Sequence, residues 1–257
     1  METFRRLFIA AASAGILSGL FVTLVHQVTT VPVILDAEVY EKAADAAAEQ
    51  KAAAAPATDQ SVSGMDMAHD DAHDHGAAEW EPQDGFERTA YTVLADLLTG
   101  IGFSLLLIAA YAISGRAVDW RAGLFWGLAG FTVFILAPGL GLPPEVPGTA
   151  AAPLTERQVW WLATAVVTAA ALAILFYAKP SRPIWYAVAV ALLVAPHLIG
   201  APQPTEYSSA APELLAHRFI VATTVAALLF WAAAGALTGF FYQRFVLRSA
   251  APARSAA

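Results

Sequence analysis

The chain has 257 residues, 58% of them hydrophobic and 14% charged, with a mean hydropathy of +0.57. Soluble domains carry about a quarter charged residues, so this composition excludes an ordinary water-soluble domain and indicates a membrane protein. It has no cysteine, which excludes disulfides and thiolate metal sites and leaves His, Asp, Glu, Met sulfur, backbone carbonyls or water as metal ligands.

The net charge of −7 is local, because most of the acid lies between Asp36 and Glu87, a segment expected to hang in water. Before it, Met1-Glu2-Thr3-Phe4-Arg5-Arg6 leads into an uncharged run from Leu7 to Val28, long enough to cross a bilayer. No A-x-A-like cleavage site follows, so residues 1–35 read as an uncleaved first span with its flanks rather than a signal peptide. Residues 36–88 form an extracytoplasmic loop. Within it, Glu38 to Ala55 is Ala/Glu/Lys-rich and predicts a helix, and Pro56 to Gly64 predicts a linker. Met65 to Gly76, MDMAHDDAHDHG, is a low-complexity tract expected to be disordered without metal.

Residues 89–248 hold five further spans, near Thr89–Ile113, Ala122–Ala137, Val159–Ala178, Ile184–Ile199 and His217–Tyr242. The third and fifth spans are short, and Pro138 and Pro196 are expected to end their helices early. Residues 249–257 are a cytoplasmic tail. The expected fold is all-α: a polytopic integral membrane bundle of six transmembrane helices with cytoplasmic N- and C-termini. The loop cations support that orientation. Arg5, Arg6, Arg116, Arg121, Lys179, Arg182, Arg244, Arg248 and Arg254 fall inside. Lys42, Lys51, Arg88, Arg157 and Arg218 fall outside, despite far longer loops.

This topology puts all six histidines at or beyond the outer face. The outer tract offers His69, Asp70, Asp71, His73, Asp74 and His75, with Met65 and Met67 just before them. Imidazole and carboxylate together suit divalent first-row metals, although copper, nickel and zinc should bind such ligands more tightly than cobalt. His26 ends the first span. His197 follows Pro196, whose missing amide should free carbonyls near Leu192 and Leu193 beside the imidazole. Asp96 is the deepest acid and could bind a cation, relay a proton or pair with Arg88. Glu213 and His217 share one helix face at the start of the last span. Three small-residue patterns, Gly15-xxx-Gly19, Gly123-xxx-Gly127 and Gly235-xxx-Gly239, allow close helix packing.

Several segments together resemble the CbtA family of cobalt transporter subunits: Trp80 to Thr89, Trp126 to Phe131, Leu136 to Gly148, Arg157 to Thr164, and Pro196 to Pro202. The resemblance covers nearly the whole chain apart from the Ala-rich part of the outer loop. It implies a multi-pass protein of the bacterial inner membrane that imports cobalt for cobalamin synthesis. It also implies a small single-span partner, CbtB, with a histidine-bearing tail.

The combined expectation is a transition-metal importer subunit and not an enzyme, with lipid as its surroundings and no nucleic-acid partner. The divalent metal is cargo, and no cofactor is bound permanently. No G-x-x-x-x-G-K-[ST] motif occurs, so ATP hydrolysis would need another subunit. The alternatives are transport of nickel, copper or zinc, or a non-transporting metal-sensing or scaffold role.

Overall fold

The computed structural model describes residues 1–54, 82–177, 179 and 181–247. It is all-helical, and five helices are long and apolar enough to cross a membrane: α1 (Glu2–Val28), α3 (Phe86–Ser114), α4 (Trp120–Gly139), α5 (Leu154–Tyr177) and α7 (Glu213–Leu247). A sixth apolar helix, α6 (Ile184–Ile199), has 16 residues. At 1.5 Å per residue it rises about 24 Å, somewhat less than a ~30 Å hydrocarbon core. The helical segment α2 (Thr30–Ala54) follows α1 after a break at Thr29 alone.

Helices α1, α3, α4 and α7 make the core, and small residues decide which pairs approach closely. Gly123 and Gly127 of α4 face Gly235 and Gly239 of α7. A Cβ on Gly235 would stand 2.7 Å from the Gly127 Cα. The two predicted small-residue patterns are thus each other's partner. Where the backbones diverge, rings fill the space: Phe134 stacks on Trp231 at 5.6 Å, and Phe103 packs against both. Lower in the core, Tyr111 shares a 2.8 Å hydrogen bond with Thr238, whose own hydroxyl proton can serve the Ala234 carbonyl at 2.7 Å. The α5–α6 hairpin packs outside this core, against the last turns of α4.

Both prolines depart from expectation. α4 does not stop at Pro138 but runs on to Gly139, after a wide π-turn over Thr132–Leu136 in which the Ala137 N–H bonds the Thr132 carbonyl. A π-turn inserts one extra residue, so the ladder is already shifted where the proline ring and its missing N–H would break it. α6 likewise passes through Pro196 to Ile199. Only one amide is withheld, the one that would have met the Leu192 carbonyl.

The loop after the first span is also less free than its charge suggested. Helix starts at Thr30, not near Glu38, because Pro32 in the first turn removes an amide that has no intrahelical acceptor anyway. The base of α2 is apolar: Val33, Ile34 and Ala37 pack on Val146, Ala211, Leu215 and Phe219. Glu38 holds Arg88 at 2.6 and 3.2 Å, and Arg88 also pairs with Asp84 at 3.1 Å. Beyond Glu41 the helix leaves the bundle, and Lys42 to Gln50 are exposed. The segments after α4 and α6 complete this end of the bundle. They meet at Thr149 and Ser209, and Glu145 pairs with Arg157 at 3.2 Å. The linker, the tract Met65–Gly76 and the tail 249–257 lie outside the described residues.

Candidate metal site

A close helix crossing positions Asp96, an acid within the α3 span. Gly15 and Gly19 of α1 abut Gly100 and the backbone of Asp96 and Leu97 on α3. A Cβ on Gly19 would stand 2.7 Å from the Asp96 carbonyl oxygen and 2.9 Å from the Leu97 Cα. The helices run antiparallel here, so the next turn of α1 carries its side chains past Asp96. Thr23 Oγ1 lies 2.8 Å from Asp96 Oδ2 and 3.1 Å from the Gly19 carbonyl, and its single proton serves one of them at a time. His26 Nδ1 lies 3.2 Å from the same Oδ2. The carboxylate is 13% exposed and the imidazole 28%, so the pair borders solvent or headgroups without lying open to them.

Asp96 therefore does not pair with Arg88, which Glu38 and Asp84 engage instead. A carboxylate at this depth needs a partner, and His26 and Thr23 supply one from the facing helix. A neutral His26 that donates from Nδ1 keeps its Nε2 lone pair for a metal, the usual arrangement of a carboxylate-oriented imidazole ligand. No hydrogen bond among the described residues engages Asp96 Oδ1 or His26 Nε2. The imidazole Nε2, on the side of the ring away from Asp96, is left to bind a cation.

The other candidates are dispersed. His197 is half-buried, its ring edge-on to Trp160 at 6.0 Å. The Trp160 Nε1 is buried without a hydrogen-bond partner among the described residues, and Trp160 borders an apolar groove of about 610 Å³ between α5 and α6 that includes Ala163, Pro196 and Ile199. Glu213 and His217 are both exposed on the first turns of α7. Among the described residues no three His, Asp or Glu side chains gather into a group that could hold a metal. The tract residues His69, Asp70, Asp71, His73, Asp74 and His75 lie outside the described residues.

Against known proteins, a family model described as probable cobalt transporter subunit (CbtA) matches residues 4–243. The chain belongs to the CbtA family. No curated protein and no solved structure matches it. The CbtA match spans every helix except the start of α1 and the end of α7, so the paired glycines and the Asp96 crossing both lie within it.

Sequence reasoning did not single out Thr23 or Glu38 in this CbtA-family chain. Thr23 carried a usable signal: it sits three residues before His26 and four after Gly19, on the same helix face. Glu38 carried none, because its role depends on how the base of α2 packs on the bundle.

Proposed function

We propose that this chain is the membrane subunit through which a divalent transition metal, with cobalt the favoured ion, moves inward across a bacterial inner membrane to supply cobalamin synthesis. A single-span, histidine-bearing subunit of the CbtB type would be its partner. Both termini would lie in the cytoplasm. One observation carries the reading: a carboxylate and an imidazole meet inside the helix bundle, at a crossing too tight for any side chain on Gly19. Membrane helices rarely carry such groups without function. One imidazole ligand, oriented by a carboxylate, leaves the remaining coordination positions to water, and that weak grip suits passage better than storage.

The buried face of α3 carries further polar groups beyond this site. Gly100, Ser104 and Tyr111 follow Asp96 at helical spacing, and the Ser104 Oγ is buried without a hydrogen-bond partner. Upstream, the tract His69 to His75, with Glu213, His217 and His197, would gather ions at the outer face. The test is uptake of radioactive cobalt by proteoliposomes holding the purified chain, with and without its partner subunit. Wild type should accumulate metal, and Asp96→Asn should fall to the level of empty liposomes. If neither protein accumulates metal but both bind it, the chain is a sensor or scaffold.

A further inference from the structure

The end of the bundle opposite Asp96 holds a different kind of site. Where α5 turns into α6, Ile174, Tyr177, Lys179, Arg182 and Trp185 line a cleft of about 420 Å³. The turn is tight: the Arg182 N–H bonds the Lys179 carbonyl at 3.0 Å, which holds both cations on one short segment. A third cation packs on Tyr177, a wall of the cleft. The Arg116 guanidinium, from the end of α3, lies 4.4 Å from the Phe176 ring centroid and 5.4 Å from that of Tyr177.

Among the described residues, none of these three cations joins an ion pair. The nearby acids are committed elsewhere. Asp119 accepts the Ala122 N–H at 2.8 Å to cap α4, and Glu2 pairs with Arg5 at 2.9 Å. Positive charge thus converges on a cleft without a protein counter-charge, and an anion is the chemistry that completes it. The walls specify what carries that anion. Ile174, Tyr177 and Trp185 are apolar or amphipathic and continue into the outward-facing Phe176 and Ile184. Trp and Tyr at a helix end are interfacial anchors, and basic pockets between membrane helices take lipid headgroups. A soluble phosphate would use the cations and leave the rings idle.

We propose that this cleft binds the phosphate of an anionic glycerophospholipid, with Lys179 and Arg182 on the phosphate and Tyr177 and Trp185 against the glycerol and first methylenes. The bound lipid fastens the α5–α6 hairpin to the bilayer at the end where cations outnumber acids.

The test is native mass spectrometry of the detergent-purified full chain, titrated with phosphatidylglycerol or phosphatidylcholine. Wild type should retain phosphatidylglycerol selectively. The Lys179→Gln/Arg182→Gln double variant should lose about thirtyfold in apparent affinity. Two controls separate a built cleft from general positive charge and from misfolding. Arg121→Gln/Arg244→Gln removes as much charge from the same end but outside the cleft, and should bind as wild type. Lys179→Arg/Arg182→Lys keeps both charges and should also bind. Equal loss in the two glutamine variants would overturn the site. So would displacement of the lipid by millimolar inorganic phosphate, which would make the cleft a soluble-anion site.

Discussion

Gly19 and Asp96 touch through their backbones: a Cβ on the glycine would stand 2.7 Å from the aspartate's carbonyl oxygen. That contact holds α1 and α3 close enough for Thr23 and His26 to reach the Asp96 carboxylate. Gly19→Ala must push the helices apart, since the obstructing atoms are backbone and cannot swing away. Overpacking of this kind costs about 1–3 kcal/mol. The variant should melt earlier and lose most of its metal uptake. Gly102→Ala on α3 meets nothing within 4 Å and should leave both unchanged. A Gly19→Ala protein that transports normally would detach the crossing from function.

How much of this was legible in the sequence depends on whether the signal was local. The spans and the small-residue patterns were, because uncharged length and four-residue spacing are properties of one segment. That the Gly123 and Gly235 patterns pair with each other, while the Gly15 pattern meets Gly100, is set by tertiary packing and has no sequence mark. The two prolines were misread for a related reason. Their local rule forbids a regular ladder, but α4 absorbs Pro138 with a π-turn, and α6 accepts one lost bond at Pro196. Asp96 was found as a costly group, yet its partner came from 70 residues away rather than from Arg88 on its own helix.

In the sequence His197 stood out beside Pro196 and His26 marked only the end of the first span, whereas in the structure it is His26 that meets an acid. His26 shares a carboxylate oxygen with Thr23. His197 lies edge-on to Trp160, and among the described residues no acid pairs with it. His26→Gln should therefore abolish cobalt uptake at saturating metal, whereas His197→Gln should keep most of it. Initial rates in proteoliposomes read the difference. The reverse ranking would move the ion site to the freed Leu192 carbonyl beside His197.

Glu38 and Arg88 fasten α2 to the bundle through two contacts at 2.6 and 3.2 Å, with side chains 14% and 22% exposed. Charged hydrogen bonds in this half-buried setting contribute about 1–2 kcal/mol. Glu38→Gln should speed amide exchange over Val33 to Ala37 by about tenfold, the equivalent of ~1.4 kcal/mol. Lys42→Gln should not, since the Lys42–Glu38 contact is 3.8 Å and the lysine is 67% exposed. Unchanged exchange in Glu38→Gln would mean that the apolar base of α2 holds it alone.

The outer tract and Asp96 should control different parts of the uptake curve. His69, His73 and His75 alternate with Asp70, Asp71 and Asp74 in a sequence with almost nothing apolar to pack. Ligands adjacent in the chain can collect a divalent ion, but they offer it no way through hydrocarbon. Collection raises the metal concentration at the bundle's outer face, and so lowers the external concentration at which uptake is half-maximal. On the proposed route the ceiling is set further in, by how fast an ion enters and leaves the His26 imidazole that Asp96 orients. Replacing His69, His73 and His75 together with Ala should therefore raise the half-saturating cobalt concentration while the maximal rate survives. Zinc should compete less well with cobalt in that variant, because the removed imidazoles belong to the ligand class that prefers zinc. Loss of the maximal rate would make the tract an obligatory part of the route, and the division between collecting and conducting would fall.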